Sequence, residues 1–210
     1  MAPQYRLVYF DVRGMGEPVR MLFADNNIEF IDQRISREEW IKLKPQMTYG
    51  QIPVLFDGNT QIAQTGAILR HLARNHGLYG DTVENKTYAD MIYEGLRDSQ
   101  RKYQNIIYRE YEKRSEFENN VLPDEISLIE NLLRNKTNGD HYICGKKISF
   151  VDYVLWELLD AYKTMKPGLL EKFPLLLAYQ QRILSQRPLL AQYIASPEHQ
   201  NKNFNGNGKQ

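Results

Sequence analysis

The sequence predicts two domains of different fold class, an α/β domain followed by an all-α domain. Short strand-like runs alternate with helical patterns from Tyr5 to about Gly80, and the strand signals vanish after that point. The elements of the first half follow the order β-α-β and then β-β-α, which predicts a mixed four-stranded sheet with helices packed on it. The second half shows apolar residues at helical spacing, which is typical of an all-α domain.

The first half divides into short segments, each with a local signal for a strand or a helix. YRLVYF is typical of a buried strand, and EPVRMLFADNN begins a helix with Pro18 in its first turn, where the missing N–H costs nothing. IEFIDQ alternates like a strand, and SREEWIKLK has the N-cap pattern of a short helix. PVLFDGNTQIA predicts a hairpin with its turn at Asp57-Gly58, and TGAILRHLARNHG predicts a helix that ends at Gly77.

The second half contains four segments with a helical pattern. They are Thr87 to about Tyr111, PDEISLIENLLRN, SFVDYVLWELLDAY and FPLLLAYQQRIL. In ISFVDY, Ser149 and Asp152 have the spacing of a capping box, in which the two residues bond each other across the first turn of a helix. Asp152 is therefore interpreted as a residue that starts a helix and not as a catalytic acid.

The charge balance excludes several classes of partner. The 27 basic and 26 acidic residues give a net charge of +1, and no basic run indicates a phosphate-binding stripe, so we expect neither nucleic acid nor membrane as a partner. No stretch is long and apolar enough to span a bilayer. The absence of a secretory signal and the presence of a single cysteine predict a cytoplasmic location.

The motifs of dinucleotide and metal sites are incomplete. Gly14-Met15-Gly16 begins like a dinucleotide-binding loop, but Val19 stands where the third glycine is required. The four histidines are scattered, without the spacing of metal ligands: they are His71, His76, His141 and His199. We therefore expect neither a bound dinucleotide nor a metal.

A redox site of the thioredoxin type is also excluded. The first half suggests a thioredoxin-like sheet, and redox members of that class need a thiol at the end of the first strand. The corresponding segment here, YFDVRGMG, contains no cysteine. The only cysteine, Cys144, is interpreted as a small apolar filler in a helix-to-helix connection and not as a reactive thiol.

Three features of the first half nevertheless indicate a site for a small anionic peptide. Tyr9 lies at the C-terminal edge of the first strand, where its hydroxyl could face a ligand crevice, although a core aromatic with a satisfied hydroxyl is an equally good interpretation. A cis bond before Pro53 would turn the Ile52 backbone away from the sheet, so that it could bind an extended peptide. The triplet Gln64-Thr65-Gly66 opens a helix, whose free amides and dipole favour a carboxylate.

At this point the sequence resembles a known family over essentially its full length. The segments YRLVYFDVRG, YGQIPVLFDGNTQIAQTGAILRHLARNHGLYG, RDSQRKYQNIIY, ISFVDY, FPLLLAYQQRILSQRPLLAQYIASPE and NGNGKQ are similar to those of cytosolic glutathione S-transferases, pi class, in the form seen in nematodes. The resemblance implies a thioredoxin-like glutathione-binding domain over 1–78, a linker over 79–85 and an all-helical domain with the electrophile pocket over 86–210. It also implies that glutathione is a cosubstrate and that no cofactor is bound permanently.

The resemblance assigns a role to individual residues. By match, Tyr9 donates a hydrogen bond to the glutathione sulfur and favours the thiolate. The other residues implied to bind glutathione are Trp40, Lys44, Gln51, Ile52, Pro53, Gln64, Thr65 and Asp98, the last from the neighbouring subunit. Met15 replaces a basic residue that many relatives carry near the γ-glutamyl carboxylate, which implies somewhat weaker binding of glutathione.

The resemblance also implies an apolar electrophile pocket and a homodimer. The pocket residues by match are Phe10, Val12, Ile35, Tyr108 and Gly206, and Tyr108 has the alternative of an ordinary aromatic on a helix face. Tyr49 matches an aromatic dimer key that inserts into a pocket of the partner subunit.

Three functions remain open from the sequence. The first is transfer of the glutathione thiolate to hydrophobic electrophiles, with Tyr9 as the catalytic residue. The second is a non-catalytic carrier of apolar ligands with the same fold, and the third is a glutathione-dependent isomerase of the prostaglandin type. The isomerase would share every glutathione residue and differ only in the electrophile pocket.

Overall fold

The computed structural model describes residues 4–209, and these form two compact units. The first unit contains residues up to Asn75 together with Arg187–Gly208, and the second contains His76–Gln186 with Lys209. The units differ from the predicted domains because residues 187–208 group with the first unit. The side chain of Arg187 donates to both carboxylate oxygens of Asp25, at 3.0 and 2.8 Å.

The first unit is built on a mixed four-stranded sheet, which confirms the predicted fold class. The strands are β1 (Tyr5–Phe10), β2 (Phe30–Ile35), β3 (Val54–Asp57) and β4 (Thr60–Ala63), in the order β2-β1-β3-β4. β1 is parallel to β2 and antiparallel to β3, and β3 is antiparallel to β4. β1 is thus a central strand, and its Leu7 and Val8 are fully buried.

Helices make up most of the remaining chain. Within residues 4–209 they are α1 (Glu17–Asp25), α2 (Arg37–Leu43), α3 (Thr65–Asn75), α4 (Val83–Tyr108), α5 (Arg114–Glu116), α6 (Leu122–Thr137), α7 (Phe150–Met165), α8 (Pro174–Gln186), α9 (Pro188–Ala195) and α10 (Pro197–Gln200). The capping box predicted at the start of α7 is present, and the N-cap predicted at the start of α2 also forms a capping box. None of these helices is both long and apolar enough to cross a membrane.

The predicted boundaries shift by a few residues at several places, and α3 ends at Asn75 instead of the predicted Gly77. The hairpin turns at Gly58 and Asn59, because Asp57 still pairs with Thr60. β2 begins at Phe30, slightly after the start of the predicted strand. α4 begins at Val83 because the Thr82 hydroxyl accepts a hydrogen bond from the third amide of the helix.

Asp152 links three parts of the second unit. Its carboxylate accepts hydrogen bonds from the amide and hydroxyl of Ser149, both at 2.7 Å, from the Ile143 amide at 2.9 Å and from the Tyr179 hydroxyl at 2.7 Å. Burial raises the pKa of the Asp152 carboxyl, and the donors around it oppose that rise. The predicted helix-starting residue therefore also ties α7 to the preceding loop and to α8.

Replacing Asp152 by Asn should strongly destabilise the protein. The introduced side-chain amide would point a donor at groups that are themselves donors, so we expect the free energy of unfolding to fall by about 3 kcal/mol. Urea unfolding followed by circular dichroism measures the change. The matched control is Asp140→Asn at an exposed position, which should change the free energy by less than about 0.5 kcal/mol. Equal effects of the two substitutions would contradict this role.

Candidate active site

Tyr9 lies at the carboxyl end of β1, next to the loop that leads to α1. Residues 14–16 of this loop form a 3₁₀ turn, and the Met15 amide donates to the Tyr9 hydroxyl oxygen at 3.1 Å. The Tyr9 side chain is largely covered, with 9% of the residue exposed. Because the oxygen accepts this bond, the bond does not consume the phenolic hydrogen, and the amide makes the hydroxyl a stronger donor.

The glycines of this turn allow the backbone to lie against the tyrosine ring. A Cβ atom on Gly14 would lie 2.8 Å from the Tyr9 hydroxyl oxygen, and a Cβ on Gly16 would lie 2.7 Å from the ring. Gly14 also has a φ of +44°, which favours glycine. These two glycines, which begin a dinucleotide motif that is not completed, thus allow the backbone to approach Tyr9.

The buried guanidinium of Arg20 binds the backbone of the same loop. It donates to the carbonyl oxygens of Val12 at 2.8 Å and Phe10 at 3.3 Å, and it pairs with Asp32 and Glu17 at 3.1 Å each. Burial works to lower the pKa of Arg20, but the charges of Asp32 and Glu17 outweigh burial, so the pKa lies above its usual value. Arg20 therefore stays charged and fixes the loop that positions Met15.

A second part of the site lies where β3 and α3 begin. The Ile52–Pro53 bond is cis, as expected, and β3 begins only at Val54, so Ile52 is outside the sheet. Gln64 has a φ of +72°, an uncommon value for a residue other than glycine, and its side-chain amide donates to Gln51 at 3.2 Å. The two glutamines are thus brought together on the surface of the first unit.

Thr65 connects this part to the Tyr9 loop. Its hydroxyl donates to the Met15 carbonyl oxygen at 3.4 Å, so Met15 bonds Thr65 through its carbonyl and Tyr9 through its amide. The first backbone bond of α3 runs from the Ile68 amide to the Gln64 carbonyl. The amides before Ile68 therefore have no carbonyl of the helix to bind, and this helix end favours an anion.

The remaining residues predicted for glutathione binding are placed more loosely. The Trp40 ring lies edge-on to Phe10, with 6.2 Å between ring centres, and the Lys44 side chain passes beside Gly50. Asp98 lies on α4 in the second unit, is 68% exposed and pairs with Arg101 at 3.1 Å.

The residues predicted for the electrophile pocket are divided between the units. Four of them belong to the first unit: Phe10, Val12, Ile35 and Gly206. Tyr108 ends α4 in the second unit and is 51% exposed. The groove beside Tyr108 is polar, because its other lining residues are Arg101, Gln104, Asn105 and Arg109.

Sequence reasoning missed a buried cluster behind the Tyr9 loop. The Glu17 carboxylate, fully buried at the start of α1, accepts from the Tyr193 hydroxyl at 2.8 Å and lies 2.7 Å from Nδ1 of His199. Burial works to raise the pKa of Glu17, but the His199 hydrogen bond and the Arg20 charge outweigh it, so the pKa is lowered. Glu17 and Arg20 were visible as an i, i+3 pair, whereas nothing local indicated Tyr193 or His199.

Two kinds of group that the sequence excluded from catalysis are the Cys144 thiol and a metal site. Cys144 is buried, and burial followed by the charge of Asp152 raises the pKa of its thiol to about 12, so the thiol is protonated and unreactive at neutral pH. Within residues 4–209, no cluster of three or more His, Cys, Asp or Glu side chains could hold a metal ion.

Comparison with known proteins gives the same family in both halves of the chain. Residues 6–74 match the glutathione S-transferase N-terminal domain, and residues 97–197 match the glutathione S-transferase C-terminal domain. The chain is 45% identical to a glutathione S-transferase of Dirofilaria immitis over 98% of this chain and 99% of that protein. It is 42% identical to glutathione S-transferase P of Caenorhabditis elegans, again over 98% of this chain and 99% of that protein.

A solved structure agrees with these sequence matches. The pi-class glutathione S-transferase of Onchocerca volvulus superposes with a TM-score of 0.94 at 43% identity, over 99% of this chain and 100% of that chain. The predicted resemblance is therefore confirmed by domain models, by relatives across the full length and by fold. The chain belongs to the glutathione S-transferase family.

Proposed function

We propose that the protein transfers the sulfur of glutathione to hydrophobic electrophiles and that Tyr9 is its catalytic residue. The observation that carries the proposal is the bond from the Met15 amide to the Tyr9 hydroxyl at the carboxyl end of β1. In this arrangement the hydroxyl donates its hydrogen to the glutathione sulfur. A donor to the thiolate lowers the pKa of the thiol, which increases the fraction of the nucleophile present at neutral pH.

The tripeptide would bind across the surface formed by Gln51, Ile52, Gln64 and Thr65. The Ile52 backbone, outside β3, would pair with the cysteinyl residue of glutathione, as a strand pairs with a sheet edge. The γ-glutamyl carboxylate would lie at the start of α3, beside Gln64 and Thr65, where the amides of the first turn stabilise an anion. Trp40 and Lys44 remain the proposed contacts of the glycyl carboxylate.

The chemistry follows from this placement. The thiol proton leaves to solvent, and the Tyr9 hydroxyl stabilises the sulfur anion. The thiolate then forms a carbon–sulfur bond with the electrophile, and the bond to the leaving group breaks with its electron pair. Phe10, Val12, Ile35, Tyr108 and Gly206 are the proposed residues around the electrophile, and the Tyr108 hydroxyl would donate to an oxygen on it. The protein supplies no covalent nucleophile, because the cosubstrate carries it.

The cellular setting is also a proposal. Glutathione is useful as a nucleophile only while its thiol is reduced, and the single cysteine of the chain fits a reducing compartment. We therefore place the activity in the cytoplasm.

Replacing Tyr9 by Phe should lower kcat/KM for a chloronitrobenzene electrophile by about tenfold or more. The substitution removes one hydrogen bond to a charged sulfur, which is worth about 1.5–3 kcal/mol. The control is Tyr5→Phe, the same substitution at the other end of β1, which should leave kcat/KM within about twofold. Equal rates for wild type and Tyr9→Phe would overturn the role of Tyr9.

Replacing Gly14 by Ala should also lower conjugation, because the new methyl group would collide with the Tyr9 hydroxyl. We expect kcat/KM to fall by about tenfold. Gly58→Ala is the control, since Gly58 has a similar φ of +55° but no atom within 4 Å of the new methyl group. Both variants place an alanine at a positive φ and therefore carry similar backbone strain. An equal loss of activity in both would contradict the steric explanation.

We also propose that the protein is a homodimer in which Tyr49 is the dimer key. Tyr49 is 66% exposed in the first unit. The second unit contains a mainly apolar cavity of about 350 Å³, lined by Met91, Gly95, Leu128 and Leu132 among others. The Tyr49 ring of one copy would fill this cavity of the other, and Asp98, which also lines the cavity, would reach the partner's glutathione amine.

Replacing Tyr49 by Ser should weaken the dimer by at least about 30-fold in dissociation constant. A central aromatic side chain in an interface contributes about 2 kcal/mol or more. Sedimentation equilibrium measures the constant, and Ile41→Ser is the control because Ile41 is a comparably exposed apolar residue of the same unit. A monomeric wild type, or a dimer that Tyr49→Ser leaves unchanged, would contradict the proposal.

A further inference from the structure

The carboxyl-terminal segment of the first unit contacts the loop that carries Met15. The Arg13 amide donates to the Asn203 carbonyl at 2.9 Å, and the Gly14 amide donates to the Phe204 carbonyl at 3.0 Å. The Arg13 guanidinium also lies 3.7 Å from the centre of the Phe204 ring. Two consecutive amides immediately before Met15 are therefore held by this segment.

The segment is itself held in place by His199. This residue is fully buried, and its Nδ1 must carry the hydrogen in the 2.7 Å bond to Glu17, because the ionised carboxylate can only accept. The His199 carbonyl in turn accepts from the Lys202 amide at 3.2 Å, and the Lys202 side chain pairs with Asp11 at 2.8 Å. Asp11 is the first residue of the Tyr9 loop after β1.

Glu17 connects this segment to the other support of the loop. One carboxylate oxygen accepts from His199 and Tyr193, and the other pairs with Arg20, which holds the Val12 carbonyl. The loop is thus bounded by Arg20 on one side and by the segment that starts at His199 on the other. Both supports therefore converge on the one buried carboxylate of Glu17.

We propose that His199 is a positioning residue for Tyr9. By fixing Glu17 and the segment from Lys202 to Phe204, it keeps the Met15 amide on the Tyr9 hydroxyl. The inference rests on the proposed function, since it assigns to His199 an influence on the acidity of the bound thiol. His199 lies 182 positions from Glu17 in the sequence, so no local pattern connects the two residues.

The test compares two substitutions of His199. His199→Leu removes the donor to Glu17, whereas His199→Asn keeps an N–H close to the position of Nδ1. We expect His199→Leu to shift the midpoint of the pH profile of kcat/KM upward by about 0.5 unit or more, because a weaker Tyr9 donor leaves the thiol less acidic. His199→Asn should restore at least half of that shift.

Gln200→Ala is the control for damage to α10. Gln200 neighbours His199, but its side chain donates to the Ile194 carbonyl at 2.7 Å and not to the Tyr9 loop. The pH profile of kcat/KM for Gln200→Ala should therefore match that of the wild type. A His199→Leu protein that is less stable but keeps the wild-type midpoint would overturn the proposal and leave a structural role only. Equal midpoints of the pH profile in His199→Asn and His199→Leu would also overturn the proposal.

A second readout is independent of conjugation. Hydrogen exchange of the Arg13, Gly14 and Met15 amides, measured without glutathione, should be about tenfold faster in His199→Leu than in wild type. Unchanged exchange would overturn the inference even if the protein is an active transferase. Faster exchange in a protein without conjugating activity would refute the proposed function while the support of the loop by His199 stands.

Discussion

The loop between β1 and α1, which contacts Tyr9, is organised around the buried guanidinium of Arg20. A loop that leaves a central strand exposes backbone carbonyls to the interior, and each buried carbonyl needs a donor. Arg20 donates to the Phe10 and Val12 carbonyls and is neutralised by Asp32 and Glu17. The buried charge of Arg20 is tolerated here because its N–H groups are bonded to carboxylates and carbonyls. Removing one carboxylate would leave a buried charge without its partner, which is strongly destabilising.

The same loop holds a backbone amide against the Tyr9 hydroxyl. The loop brings a backbone amide to the Tyr9 oxygen, the two glycines let it lie against the ring, and Thr65 ties Met15 to the start of α3. The proposed thiolate site and the proposed carboxylate site are therefore connected through Met15. A ligand that spans both would contact a surface whose parts are already fixed relative to each other, which reduces the entropy lost on binding.

Sequence reasoning succeeded where a structural signal is local. The hairpin, the two capping boxes and the cis bond before Pro53 each depend on a few neighbouring residues, and all are present. It could not show that residues 187–208 group with the first unit, because a helical pattern shows which face is apolar but not which element covers that face. The His199–Glu17 pair is the clearest case, since the two residues are 182 positions apart and neither carries a motif.

If Tyr9 donates to the glutathione sulfur, the bound thiol must be more acidic than the free one. The measurement is a pH titration of the ultraviolet absorbance of the thiolate in the complex of protein and glutathione. We predict a pKa at least about one unit below that of a free cysteine-type thiol, near 8.5, and a return towards that value in Tyr9→Phe. A bound thiol that titrates like free glutathione, or one that is equally acidic in Tyr9→Phe, would contradict this role of Tyr9.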